Sequence, residues 1–358
     1  MRLATLQRRL QQENLDVALV TRPVQIGYLT GAFIYPHERF FALAVPASGE
    51  ATLFGPALEA GQLEGRGVPF FAVRDQDRIA DVLAGRLAGR IGVERDHITL
   101  GWSLAVADAA GCEIGSLADI APLLASLRVT KDEREAKSLR EAARRLDEAT
   151  AHAKRLIRPG VTERQMASEI ERYMREELKG EPGFPSIVLF GERSALPHGG
   201  PTDRALSSGE AVLVDIGFAW EGYVADTTRT FFLGEPSEEM RRVYAVVQKA
   251  QELGRAAVRP GTAMGDVDAA ARRHIAATGY GEFFPHRVGH GLGLETHEEP
   301  FLLPGREDPL APGMCLTVEP GVYLPGKGGV RIEDDLLVTE AGAETLTQYP
   351  RDLEVVSS

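Results

Sequence analysis

Apolar residues come in two rhythms along this chain, and the change from one to the other divides it. Up to about residue 122, short apolar runs alternate with helical stretches: VALV at 17–20, FALAV at 41–45, ATLF at 51–54, FFAV at 70–73 and ITLG at 98–101. Such runs predict buried strands, and their alternation with helices predicts an α/β domain. The turn PASGE between the second and third runs has hairpin chemistry, so part of that sheet is expected to be antiparallel. The opening stretch MRLATLQRRLQQENLDVALV carries charge every few residues and reads as an amphipathic helix, not a secretory signal. Further on, Thr130 and Glu133 match a capping box, which predicts a long helix ending at Arg158-Pro159-Gly160. The expected division is a first domain at 1–122, a linker at 123–131 and a second domain at 132–358.

The second domain repeats its pattern at an offset near 100 residues. RPGVT at 158–162 recurs as RPGTA at 259–263, and SSGEAVLVDIG at 207–217 is echoed by APGMCLTVEPG at 311–321. ADTTRTFFL after Asp215 is echoed in the same way by RIEDDLLV after Glu319. Two related halves, each a helical segment followed by a pair of strands, predict a pseudo-twofold axis.

Each half supplies two acids by the same device, Asp215 and Asp226 in the first and Glu319 and Glu333 in the second. In VLVDIG and LTVEPG the acid follows three apolar or β-branched residues, which places it at the inner end of a buried strand. The first pair is expected on a hairpin of strands 212–217 and 225–232 joined by FAWEGYV. Four converging carboxylates repel one another and are costly to bury without cations. Two divalent metal ions would compensate them, and His290 in GHGLG supplies an imidazole as fifth ligand. This hard, oxygen-rich set suits Mn²⁺, with Co²⁺ and Zn²⁺ as competitors. His198 in ALPHGG and His297 in ETHEEP obey the repeat offset too, so they are expected to flank a substrate on opposite sides of the metal pair.

Composition narrows the rest. A chain of 358 residues favours two domains, and 44% hydrophobic with 26% charged residues describes an ordinary globular protein. A net charge of −12 argues against broad attraction to nucleic acid, and no apolar run reaches the roughly 20 residues that span a bilayer. With only Cys112 and Cys315 there is no disulfide framework, and a reducing cytoplasm fits.

Taken together, PHGG, VLVDIG with Asp226 eleven residues later, HRVGHGLGLETHEEP, TVEPGVY and GGVRIED resemble the pita-bread metallopeptidases, most closely the Xaa-Pro peptidases. The first 120 or so residues resemble the creatinase-type N-terminal domain that these peptidases carry. Methionine aminopeptidases share the ligands but lack that domain, and creatinases replace the ligands. The resemblance implies that Asp215 binds one metal in bidentate fashion, that Asp226 and Glu333 bridge both, and that His290 and Glu319 bind the other. It implies hydrolysis of the bond before proline by a hydroxide bridging the metals, with Glu319 shuttling the proton and His297 stabilising the oxyanion. His198 and His286 look like substrate-binding residues, and Arg331 a supporting group or a carboxylate partner. The segment IYPHERFFAL resembles Xaa-Pro dipeptidases (prolidases), and Arg39 within it is the candidate for holding a dipeptide's free carboxylate, from the partner subunit of a homodimer. The alternatives are an aminopeptidase P acting on longer peptides and, in another class, a pita-bread protein that binds peptides without cutting them. The second alternative is disfavoured, because such relatives lose ligands and all five stand here.

Overall fold

Four of the five N-terminal apolar runs are strands. In the computed structural model, which describes residues 2–357, β1 (Val17–Val20), β2 (Ala42–Pro46), β3 (Thr52–Pro56) and β4 (Phe70–Val73) share a sheet with β5 (Ile91–Val93) and β6 (Ala118–Asp119), in the order β4-β3-β2-β1-β5-β6. β2 and β3 form the expected antiparallel hairpin, and β1 runs antiparallel to β2 but parallel to β5. All four β1 residues are buried, which is why the central strand reads as an unbroken apolar run. ITLG corrects the reading. Thr99 caps the helix Leu100–Ala110 by accepting from the Trp102 N–H, and the fifth strand lies earlier, at Ile91–Val93. A threonine just ahead of a helical turn satisfies a backbone donor that would otherwise be orphaned, and that local gain outweighs strand propensity. The helix Arg2–Gln12 opens the chain as expected, with Leu6 and Leu10 buried.

A break between Leu127 and Arg128 separates two compact units, and most of the stretch read as a linker is helical, Ala121–Val129. The long helix of the second unit spans Glu133–Leu156, but its cap is Asp132. Asp132 accepts from the Glu135 N–H at 2.9 Å and Glu135 accepts from the Asp132 N–H at 2.8 Å, a reciprocal box shifted two residues from the expected one. Thr130 is taken by a β-bridge to Met314, so its backbone is extended before the helix begins. The helix buries Leu139, Ala142, Ala143, Leu146, Ala149 and Ala153, a stripe at helical spacing, against β9 (Glu210–Trp220) and β10 (Tyr223–Leu233).

The second unit is built twice. In its first half β9 pairs with β10, with β7 (Glu181–Pro182) and with β8 (Ile187–Phe190). In its second half β11 (His290–Gly291), β12 (Glu298–Phe301), β13 (Cys315–Val318), β16 (Asp334–Thr339) and β17 (Gly342–Thr345) form a sheet in the order β12-β11-β13-β16-β17. Between its two main strands the hairpin of β14 (Gly321–Leu324) and β15 (Gly328–Arg331) is inserted, and β18 (Val355–Val356) returns to β10. The RPG repeats make matching turns. Gly160 and Gly261 sit at φ +78° and +83°, and their N–H groups reach Leu206 and Leu310 at 2.9 and 2.8 Å. Each turn leads into a 14-residue helix, Glu163–Glu176 and Met264–Ala277. β9 and β10 are longer than expected because the seven-residue loop is a two-residue turn, Glu221-Gly222, with φ +50° and +84°. Positive φ at both positions gives the twist that a tight hairpin needs.

Candidate metal centre and substrate cavity

The register of β9 against β10 sets the first pair of acids. Asp215 stands opposite Thr228 and Asp226 opposite Gly217, so the two carboxylates are diagonal neighbours on one face of the hairpin. Asp215 lies mid-strand, not at a strand end. The second pair comes from segments that leave regular strand: Glu319 follows β13, its N–H bonded to the Val288 carbonyl at 2.7 Å, and Glu333 occupies the joint between β15 and β16. The halves are stitched across the seam. Glu333 donates its N–H to the Thr228 carbonyl at 3.1 Å and accepts from the Thr228 hydroxyl at 2.6 Å, while the Asp335 carboxylate accepts from the Asp226 N–H at 2.8 Å.

His290 is oriented by its own backbone. Its Nδ1 lies 3.1 Å from the Gly291 carbonyl and must donate to it, so Nε2 presents a lone pair, 3.4 Å from Glu319 Oε1. Donor atoms of Asp226, His290 and Glu333 lie within 4.8 Å of one another, and all five predicted ligands line a single cavity of about 940 Å³. Burial, and then the charge of Glu333, holds the Asp226 carboxyl well above the usual carboxylate range. Burial followed by the charge of Glu319 does the same to Glu333. Glu319 is pushed up to about 8, mainly by burial, with Asp215 adding to the rise and Arg331 opposing it. His290 is driven down to about 3, first by burial and then by His297, so it is neutral. Oδ1 of Asp215 and Oδ1 of Asp226 are buried without a hydrogen-bond partner. Orphaned carboxylate oxygens, an imidazole with an inward lone pair and a mainly oxygen donor set fit divalent cations, which would supply the missing charge.

Arg331 belongs to the support of this cluster. Buried beside it, the guanidinium pairs with Asp215 and also donates to the Thr228 hydroxyl at 3.0 Å and the Tyr323 hydroxyl at 2.8 Å. Tyr323 passes the chain on, donating to His286 Nε2 at 2.9 Å, while His286 Nδ1 donates to the Arg287 carbonyl at 2.8 Å. Both ring nitrogens of His286 are thus engaged within the protein, and burial lowers its pKa to about 4. His286 also lines the cavity. His198 and His297 line the cavity as well, both solvent-accessible, with the His297 ring 4.1 Å from that of His290 in edge contact. His297 has a lowered pKa, through burial first and then the charges of Arg287 and His198. Arg39 is elsewhere. It lies in the N-terminal unit and donates to Asp75 at 2.9 Å in a crevice bounded by Phe40 and Trp102.

Two supporting residues escape the sequence pattern. Thr228 is signalled only by the polar alternation of DTTRT inside an otherwise apolar strand, and Tyr323 is one of eight tyrosines with nothing to distinguish it. Arg287, which also lines the cavity, stands in the HRVGHG motif without a donor or acceptor pattern around it.

The comparisons agree on what this architecture is. Residues 137–340 match the model of metallopeptidase family M24, and residues 2–130 match the creatinase/prolidase N-terminal domain. An uncharacterized peptidase of Staphylococcus saprophyticus is 39% identical, the match covering 98% of this chain and 100% of that protein. The solved Xaa-Pro dipeptidase from Bacillus anthracis is 34% identical with a TM-score of 0.90, covering 99% of each chain. The X-Pro aminopeptidase from Thermotoga maritima is 31% identical with a TM-score of 0.88, again over 99% of each. With a creatinase-type domain at 2–130, a peptidase model over more than half its length and a full-length relative at this identity, the chain belongs to metallopeptidase family M24.

Proposed function

We propose that this protein hydrolyses the peptide bond before proline in Xaa-Pro dipeptides, with two divalent ions, Mn²⁺ by ligand preference, held by Asp215, Asp226, His290, Glu319 and Glu333. The observation that carries the reading is the cluster itself: four carboxyl side chains and the His290 imidazole line a single cavity, and Oδ1 of Asp215 and of Asp226 are buried there without a hydrogen-bond partner, a donor set that bound cations would complete. Bound ions of this kind polarise a scissile carbonyl and acidify water.

The chain's own residues do the rest. Glu319, at the cavity wall beside His290, takes the proton of the attacking water and delivers it to the leaving nitrogen, a role that its place in the cavity next to the cluster allows. His297 donates to the oxygen on which negative charge develops, and His198 meets the peptide from the cavity mouth. Arg331 holds Asp215 in place through its buried pair. A bond before proline has no N–H, so a cleft that recognises it must rely on carbonyl and carboxylate contacts. The two thiols, Cys112 and Cys315, are free, which accords with a reducing compartment, and the reading carries with it a homodimer.

The second reading is an aminopeptidase that removes the residue before proline from longer peptides; it is favoured by the likeness to the Thermotoga enzyme. A panel of Ala-Pro, Ala-Pro-Ala and Ala-Ala, with metal content measured on the same preparation, tests both. Turnover of Ala-Ala at the rate of Ala-Pro, or no turnover of either proline peptide with Mn²⁺ or Co²⁺ present, would refute the Xaa-Pro assignment.

A further inference from the structure

Three guanidiniums line the cavity, those of Arg272, Arg287 and Arg331. Two are spent. Arg272 is bidentate to Asp268 at 2.7 and 2.8 Å and also donates to the Phe284 and His286 carbonyls, and Arg331 is bound to Asp215. Arg287 is different: no carboxylate of the described residues lies within salt-bridge distance of it, and its guanidinium rests on the ring of Phe301, 4.4 Å from the centroid. Phe301 is the cross-strand partner of His290, so this platform sets the cation next to a metal ligand. Stacking engages the flat face of the guanidinium and leaves its N–H edge available for a planar anion.

We propose that Arg287 reads the free C-terminal carboxylate of the substrate, and so makes this site a dipeptidase. The inference rests on the Xaa-Pro reading above and deepens it. A dipeptide is the one proline substrate whose carboxylate directly follows the residue after the scissile bond. An amide or a further residue there removes the charge and the two coplanar acceptors that a guanidinium fork matches. Arg39, the cation expected from sequence for this task, is already bidentate to Asp75.

The test compares the metal-loaded wild type with Arg287→Ala and Arg287→Lys on three substrates, Ala-Pro, Ala-Pro amide and Ala-Pro-Ala. Loss of a charge-assisted contact predicts that Arg287→Ala raises KM for Ala-Pro roughly 10- to 100-fold, with a much smaller change for the amide. Arg287→Lys should recover part of the loss, because a point charge replaces a fork. An equal loss on Ala-Pro and its amide overturns the role of Arg287, since a merely structural or electrostatic effect would not separate them. A change of preference carried by Arg39→Ala instead would overturn it too. Failure of the wild type on all three substrates would remove the Xaa-Pro reading itself, and this inference with it.

Discussion

The two halves of the catalytic unit share a plan and differ in finish. In the first half both acids ride on uninterrupted 11-residue strands closed by a two-residue turn, and their positions follow from register alone. In the second half the strand path is interrupted after Val318 by the β14–β15 hairpin, and both acids stand where regular pairing lapses. The candidate ligand His290, the His286–Tyr323–Arg331 chain and the stacked Arg287 all belong to this second half. The half with unbroken strands supplies two acids set by register, and the interrupted half supplies side chains placed one by one. Each also orients the other's carboxylate: Arg331 of the second half grips Asp215 of the first, and Thr228 of the first half bonds Glu333 of the second. Chemistry that needs convergence from several directions is easier to build at a seam than within either half.

The comparison can be broken first at the acids. Asp226→Asn and Glu333→Gln, one from each half, should each lose bound metal and cost activity well beyond the roughly 10- to 100-fold typical of a supporting residue. Metal analysis and kcat/KM on Ala-Pro check this, and normal metal content in either variant would mean that the centre is not shared.

Acidity comes next. In the metal-free chain the raised carboxyls, Glu319 at about 8 among them, hold protons that a metal ion must displace. Affinity should therefore fall as pH falls below 8, by roughly tenfold per unit for each displaced proton, with proton release visible by calorimetry in two buffers. Folding of the metal-free chain should run the other way. The folded state binds these protons more tightly than the unfolded one, so stability is greatest at or below the ordinary carboxylate range and is lost as pH rises through about 8. Denaturant titrations with and without Mn²⁺ should thus show opposite pH trends, and parallel trends would contradict the cation requirement.

The cross-seam supports sharpen the comparison further. Arg331→Met should lower activity roughly 10- to 100-fold, because Asp215 loses its charged partner. Thr228→Val, which removes a neutral donor from Glu333, should cost only about 1 kcal/mol, near fivefold. The reverse order would show that the first half, not the second, carries the decisive support. Smallest are the matching turns: Gly160→Ala and Gly261→Ala each force a side chain into positive φ with open space around it, and each should destabilise by about 1 kcal/mol. Clearly unequal losses in thermal unfolding would show that the repeat is less symmetric in energy than in geometry.

The sequence by itself determined the inventory. Repeated RPG turns, acids following apolar strands and the GHGLG histidine pointed to five candidate donors, which the fold brings to one cavity, because a carboxylate beside β-branched neighbours in a buried strand is costly without a partner. It also determined the N-terminal α/β sheet, since runs such as VALV have few alternatives to burial. It misplaced the elements decided by local competition. ITLG became a helix start through the Thr99 cap, and the long helix began at Asp132 because Thr130 was already held by Met314. Tertiary structure alone decided commitments. That Arg331 is spent on Asp215, that both nitrogens of His286 are engaged, that Arg39 is tied to Asp75 and that Arg287 rests on Phe301 are facts of three-dimensional pairing. Hydrogen-bonding capacity is written in each side chain, but for Arg331, Arg39 and Nε2 of His286 the partner that takes it up comes from a distant part of the chain, brought into contact only by folding.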